Sequence, residues 1–301
     1  MDGILIIDKP AGITSHDVVS RVRRLLKMKR VGHTGTLDPF ATGVMVILVG
    51  QATRLAQFLD KDVKEYEALV RFGFETDTGD RTGIPKSEAQ SAKSVDIEKV
   101  RASLDHFRGE ILQVPPMYSA KKIDGKRLYE HARKGETIER RPIPVKIYEL
   151  ELSEPPAVAG GLTRPFRDVN IRVKCSAGTY IRTLAEDIGR TVGTGAHLHE
   201  LRRTRAGKFE IGQSLTLEKL EQLDDRQAAL VTMERAVSHL PNIVLDEDRI
   251  EKTRNGLSTR FDAAHFIEGD AVQMLDGQGR LIAIGVYHKA ENSVQPKVVL
   301  V

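Results

Sequence analysis

Apolar positions along this chain follow two rhythms, a helical one and a strand one, and together they predict a mixed fold. Residues 3–8, with the apolar run Ile4 to Ile7 followed by Asp8 and ended by Lys9-Pro10-Ala11-Gly12, read as a buried strand. Thr14 or Ser15 then caps a helix, with Asp17 in its first turn. Val18, Val22, Leu25 and Leu26 recur there at helical spacing, and arginines fill the other face. Residues 44–49 read as a second buried strand, and a short helix suits 51–59. Over 64–73 the period drops to two. Tyr66, Ala68, Val70 and Phe72 fall on one face, with Glu65, Glu67 and Arg71 on the other, as in a half-buried strand. Ile97, Val100, Leu104 and Phe107 mark another helix. Residues 144–152 and 166–176 read as strands, the second alternating Val169, Ile171, Val173 and Cys175 with Asn170, Arg172, Lys174 and Ser176. Gly178-Thr179 then opens a helix carrying Tyr180, Ile181, Arg182, Leu184 and Ile188.

Two stretches carry no core stripe. Residues 73–83 are a polar loop. Glu75, Asp77 and Asp80 raise the idea of calcium, but Lys86 stands where an EF-hand needs its twelfth-position acid. Residues 113–141 are Pro-rich and then basic, the composition of a functional loop or mobile excursion. After about residue 235 the pattern changes to short strands at 271–275, 281–287 and 298–301 separated by Gly and Asp turns, a small β-rich domain. Strands and helices without steady βαβ alternation favour an α+β catalytic domain over a doubly wound one.

Composition narrows the class. The 301 residues, 40% hydrophobic and 29% charged, suit about two domains of a soluble globular protein. No apolar stretch approaches the ~18 residues of a membrane span, and the N-terminus carries no signal-peptide pattern. One cysteine, Cys175, excludes an internal disulfide framework and fits a reducing, cytoplasmic compartment; its place on a strand's apolar side reads as core. His197-Leu198-His199 alone is a poor zinc set. The net charge is only +4, so distribution matters more than balance. Arg21, Arg23, Arg24, Lys27, Lys29 and Arg30 crowd one stretch. Lys121, Lys122, Lys126, Arg127, Arg133 and Lys134 crowd a second, and Arg202, Arg203, Arg205 and Lys208 a third. Each lies beside a Gly- or Pro-rich loop, which points toward a polyanionic partner as much as toward plain solvated faces.

The candidate chemistry lies at residues 32–43, where three glycines, a proline, three threonines and a histidine surround one carboxylate, Asp38. A loop of special backbone shape next to a buried strand is a usual place for function. Asp before Pro is equally an ordinary turn residue. No ligand cluster accompanies Asp38, so a nucleophile or base fits better than a metal ligand. The chain has neither a Walker loop nor G-x-G-x-x-G, so nothing supports a nucleotide cofactor.

Taken together, Lys9 to Ser15, Gly32 to Pro39 with Ala41 to Val44, Lys64-Glu65-Tyr66, residues 73–83, Gln113 to Ala120, Gly178 to Arg182 and Leu201 to Thr204 resemble the tRNA pseudouridine-55 synthase family of TruB type. The motifs follow in family order over about residues 3–209. The resemblance implies a catalytic domain over 1–236 with a central mixed, mainly antiparallel sheet flanked by helices. It also implies a thumb-like RNA-binding insertion at about 114–141 and a PUA-like RNA-binding domain at 237–301. The implied reaction isomerises a T-loop uridine of tRNA to pseudouridine and needs no cofactor and no metal. Asp38 then matches the essential aspartate, Arg182 its guanidinium partner, and Tyr66 a tyrosine that stacks on uracil and serves proton transfer. Tyr180 and Leu201 match pocket-lining positions, and His33 the residue that fills the space of a flipped base. Lys64, Lys121 and Lys122 are expected to touch RNA, and Lys9-Pro10 to support the active-site loop. The expected partner is the T-arm of tRNA, with a monomeric chain and no obligatory protein partner. An RNA-folding chaperone with dispensable catalysis, or a guide-RNA-dependent synthase, would use the same basic clusters.

Overall fold

The structure, a computed structural model, describes residues 1–59, 63–86, 95–119, 121–123, 125–132, 134–153, 167–261 and 265–300. Ala120, Arg133, residue 166 and Val301, and the side chains of Lys122 and Arg127, lie outside the described residues.

In chain order the elements are β1 (Gly3–Lys9), α1 (Ser15–Leu26), β2 (Val31–Thr34), β3 (Thr42–Val49), a 3-10 turn (Gly50–Leu55) running into α2 (Ala56–Leu59), and β4 (Lys64–Phe72). Next come α3 (Ile97–Leu104), β5 (Gly109–Gln113), β6 (Lys122–Ile123), β7 (Lys126–Arg127), α4 (Leu128–Ala132), β8 (Ile143–Leu152), β9 (Asp168–Cys175), α5 (Ile181–Val192) and β10 (Ala196–Ala206). The remainder is β11 (Phe209–Glu210), α6 (Leu217–Gln222), α7 (Met233–Ala236), β12 (Asn242–Val244), α8 (Glu247–Arg254), β13 (Thr259–Arg260), β14 (Ala271–Leu275), β15 (Leu281–His288) and β16 (Ser293–Val299).

The strands anticipated from period two are present, and α1 starts as its sequence asks. Thr14 accepts from the Asp17 amide while Asp17 accepts from the Thr14 amide, a reciprocal capping box that stabilises the helix by about 1 kcal/mol. The helix expected over 51–59 is 3-10 in its first half. Several strands were not anticipated: the short β6, β7, β11, β12 and β13, together with β2, β5 and, most consequentially, the 11-residue β10. Its run of arginines hid it, because charged residues dilute the apolar alternation that marks a strand.

A nine-stranded sheet forms the main body, in the order β1-β3-β10-β4-β9-β8-β5 with β2 on β3 and β11 on β10. Only the β3–β10 pairing is parallel, so the sheet is mixed and mainly antiparallel. One core joins α3 and α5 to the strands through Val100, Leu104, Leu184 and Ile188, and another joins α1 and α6 to β1 and β3. The five-stranded sheet β12-β14-β15-β16-β13 follows. It is not isolated: Leu281, Ile284 and Val298 share a buried cluster with Ile4, Val44, Val46 and Phe209.

What positions the site is a fork in the large sheet. Along one edge β3 is paired by β1 from Gly43 to Val49. Its other edge is divided, with β10 taking Thr42 and Gly43 and β2 taking Val46 to Val49. Residues 35–41, the Asp38 loop, leave the sheet between the two. Gly43 is required there: its φ is +103°, and a Cβ on it would stand 2.2 Å from the Arg203 carbonyl oxygen.

Candidate active site

Asp38 sits at the crown of this loop, and Arg182 meets it from the first turn of α5. Nε lies 3.0 Å from Asp38 Oδ2, and Nη2 donates to Oδ1 at 3.2 Å, a side-on bidentate pair. The other donors are used as well. Nη2 also donates to the Tyr118 carbonyl at 2.6 Å, and Nη1 donates to the Thr78 carbonyl at 2.9 Å and to Asp80 Oδ2 at 3.5 Å. Arg182 is 5% exposed, whereas the Asp38 side chain keeps 30% of its surface open. One carboxylate is therefore held rigidly from behind and remains reachable from in front.

Asp80 is the second acid on this guanidinium and was missed as a site residue. It is 4% exposed, and Oδ1 accepts from Thr78 Oγ1 at 2.9 Å and from the Thr82 amide and hydroxyl at 2.9 and 2.5 Å. The signal was the threonine on either side at i−2 and i+2, a pattern that turns an aspartate inward; weighing the loop for calcium obscured it.

Burial pushes the Asp38 carboxyl above the ordinary carboxylate range. Arg182 pulls it back, Asp80 raises it further, and Lys9 opposes the rise. Tyr66, on β4 and 8% exposed, has its phenol pushed up by burial, with the Arg203 guanidinium opposing, so it carries its proton at neutral pH and can donate it. Tyr66 and Leu201 share one apolar cluster with Leu37 and Phe40 of the Asp38 loop. The structure thus gathers Asp38, Arg182, Tyr66 and Leu201 from four elements. Tyr180 joins them at the edge as the residue before α5, half-buried. Its backbone is clamped in both directions by Gln113, which is fully buried: Tyr180 N donates to Oε1 at 3.0 Å, and Nε2 donates to the Tyr180 carbonyl at 3.3 Å.

His33 lies one strand away from Asp38, half-buried on β2, where it lines an open cavity of about 330 Å³ with Thr34, Gly35, Thr36 and Gln57. Lys64 is 5% exposed and turns toward the loop, its Cε 3.8 Å from where a Cβ on Gly35 would stand, so it does not present an open cationic face. Lys121 is half-buried at the foot of the insertion, with its carbonyl accepting from the Leu128 amide at 2.9 Å. The side chain of Lys122 lies outside the described residues. The insertion's base is tied to α5 through the Arg182–Tyr118 contact and a Thr183 hydroxyl that donates to the Val114 carbonyl at 3.5 Å.

Within the third basic cluster the structure separates the roles. Arg202 forms a bidentate pair with Asp8 at 2.8 and 3.2 Å and Arg205 pairs with Glu65 at 3.3 Å, each with 39% of its side-chain surface open. Arg203 is 1% exposed, so it alone of these three is withdrawn from the surface.

Lys9 has the supporting role expected of it. Fully buried at the end of β1, its ammonium donates to the carbonyls of Pro10, Pro39 and Ala41 at 2.9, 3.1 and 2.7 Å, two of them within the Asp38 loop. Burial lowers its pKa from 10.5 to about 8, with Asp38 opposing. Between those values the unfolded chain binds more protons than the folded one, so this residue makes stability rise with pH across that window. Lys9→Met removes the effect. The stability difference between wild type and variant in urea is expected to change between pH 8 and 10.5 by up to about 1.4 kcal/mol per pH unit. A difference that stays flat over that range would show that Lys9 keeps an ordinary pKa.

Comparison with known proteins gives the chain a family. Residues 23–181 match the TruB family pseudouridylate synthase (N terminal domain), and residues 182–241 match the tRNA pseudouridylate synthase B C-terminal domain. A relative from Solibacter usitatus named tRNA pseudouridine synthase B is 46% identical over 95% of this chain and 95% of its own length. One of the same name from Bacillus pumilus is 40% identical over 100% of this chain and 98% of its own. A chain in the crystal structure of a Cbf5-Nop10-Gar1 complex is 29% identical with a TM-score of 0.74, covering 99% of this chain and 85% of that one. The nine-stranded mixed sheet, the Asp38–Arg182 pair at its fork and these full-length likenesses agree, and the chain belongs to the TruB family of pseudouridylate synthases.

Proposed function

We propose that this protein isomerises uridine to pseudouridine at position 55, in the T-loop of tRNA, with Asp38 as the reacting carboxylate. The observation that carries the reading is Asp38 itself: gripped by a buried guanidinium, partly open to solvent, and set beside Tyr66 and Leu201. The reaction balances without an outside reagent. The N1–C1′ bond breaks, the uracil turns, C5 bonds to C1′, and the proton lost from C5 is matched by one gained at N1. Asp38 attacks the nucleotide or stabilises the sugar as the bond breaks. Arg182 keeps the carboxylate charged as the incoming base excludes water. Tyr66 offers a ring face to the uracil and a hydroxyl to the proton transfer, while Leu201 and Tyr180 border the base. His33 fills the space left in the RNA when the base flips, which offsets part of a stacking cost of a few kcal/mol.

The RNA-contacting parts follow the same reading. Residues 114–141 act as a thumb over the RNA backbone, with Lys121 and Lys122 toward phosphates. We assign residues 237–301 as a PUA-like domain that binds RNA, and residues 1–236 as the catalytic domain. Adding tRNA is expected to slow proteolysis within the thumb by about tenfold or more. Cleavage there at an unchanged rate would remove the clamp from this account.

A guide-RNA-dependent role has one observation in its favour, the likeness to a chain in an H/ACA RNP bound to a substrate RNA (28% identity, TM-score 0.73). The 46% and 40% identities to proteins named tRNA pseudouridine synthase B favour the stand-alone type. The deciding experiment is single-turnover conversion of a T-stem-loop RNA by the purified chain, with a chelator, no nucleotide and no added protein, read by nucleoside chromatography. Conversion supports a cofactor-free synthase that needs no protein partner. Conversion only after adding a guide RNA would replace that reading with the guide-dependent one.

A further inference from the structure

Arg203 heads the fully buried large side chains of the described residues at 1% exposure, and the chemistry above gives it no part. Burying a guanidinium costs several kcal/mol unless its donors are placed. Here they are placed on the machinery of the site. Arg203 lies in the fork between β2 and β10, where the Asp38 loop leaves the sheet. Nε donates to the Val44 carbonyl at 2.7 Å, and Nη2 donates to the Gly35 carbonyl, at the first residue of that loop, at 2.9 Å. The guanidinium thus satisfies backbone acceptors at the point where β3 changes partners. On its other side Arg203 stands directly opposite Tyr66 in the β10–β4 ladder, so the two side chains leave the same face of the sheet, and the guanidinium charge opposes the burial-driven rise of the Tyr66 phenol. Lys9 holds the far side of the loop at Pro39 and Ala41. Two buried cations therefore grip the loop before and after Asp38, and of these two Arg203 is the one paired across the sheet with Tyr66.

We propose that Arg203 is a positioning residue for the isomerisation: a single buried guanidinium sets both the loop that presents Asp38 and the hydroxyl of Tyr66, and so fixes the spacing between carboxylate and phenol. The proposal rests on the synthase reading. A planar fork is needed because Nε and Nη2 must diverge toward the Val44 and Gly35 carbonyls while the charge stays on the face shared with Tyr66. A lysine carries its three donors on one nitrogen and cannot span this arrangement. Misplacing reacting groups by about 1 Å costs on the order of 100-fold in rate.

The test compares wild type, Arg203→Lys, Arg203→Gln, Tyr66→Phe and the Arg203→Lys/Tyr66→Phe double variant, each checked by thermal melting. Single-turnover conversion and RNA binding are measured separately. Arg203→Lys is expected to melt cooperatively, bind RNA within about twofold of wild type and convert it about 10- to 100-fold more slowly. The same substitution is expected to cost a smaller factor once the Tyr66 hydroxyl is gone. A folded Arg203→Lys at the wild-type rate, a loss confined to RNA affinity, or an equal factor in both backgrounds would each overturn the proposal. So would failure of both Arg203 variants to fold, which would make the cation a framework element. Wild-type protein that converts no RNA would sink the synthase reading and this inference with it. Wild-type conversion beside an unimpaired Arg203→Lys would remove only this inference.

Discussion

Asp38→Asn is expected to leave the RNA bound and unconverted. The amide has nearly the volume of the carboxylate, and its oxygen can still accept from Arg182 Nε or Nη2, so the loop, held separately through Lys9 and Arg203, keeps its shape. The charge and the nucleophilic oxygen are gone. A loss of at least about 10⁴-fold in single-turnover rate is expected, the size seen when an essential nucleophile is removed. Affinity for a T-stem-loop RNA should hold within a few-fold, since deleting a negative charge does not weaken binding to a polyanion. Conversion by the asparagine variant within tenfold of wild type would show that the carboxylate is not the reacting group. Equal loss of binding would point instead to a role in seating the RNA.

Arg182→Lys carries the second largest expected effect. The guanidinium serves five acceptors: both oxygens of Asp38, the carbonyls of Thr78 and Tyr118, and Asp80. An ammonium brings three donors from one point and cannot hold Asp38 side-on while spanning the two carbonyls. Loss of fixed electrostatic support of this kind costs about 10²- to 10³-fold in rate. The pH dependence carries a second signature. Burial already raises the Asp38 pKa, and Arg182 is the leading force against that rise. Weakening it moves the pKa further up, so as pH falls the variant should begin to lose activity at a higher pH than wild type. Measuring single-turnover rate against pH for both proteins checks the sign. An acid limb at the same or a lower pH in the variant would contradict the assigned electrostatics. At 5% exposure Arg182 has little surface to offer RNA, so affinity should change little.

Much of this site was legible in residue order. The Gly- and Pro-rich setting marked the Asp38 loop and the period-two pattern of β4 placed Tyr66 on its apolar face, while the pairing of Asp38 with Arg182 was expected from the family resemblance. Lys9 was assigned to loop support, and its three carbonyl contacts agree. Asp80 and Arg203 were not legible as site residues. Asp80 stands in a loop dense with acids and threonines, where the Thr78 and Thr82 flanks were a local sign of an inward carboxylate but not of the distant guanidinium it serves. Arg203 stands among other arginines, and a charged run on its own reads as a solvated face.

The sequence by itself determined local matters: the strands and helices with a clean apolar period, the start of α1 near Thr14, several of the turns, and that one carboxylate occupies a Gly-rich polar loop. Each depends on residues within a few positions of one another, so periodicity and turn chemistry suffice. Only the tertiary structure decided what each charge is for. Asp38 and Arg182 are 144 residues apart, and Gly35 and Arg203 are 168 apart. Whether a guanidinium ends in water, on a carboxylate or on a backbone carbonyl depends on which strands pair. That pairing is set by burial of whole sheet faces and by the Gly43–Arg203 close approach, not by the neighbours of either residue in the chain.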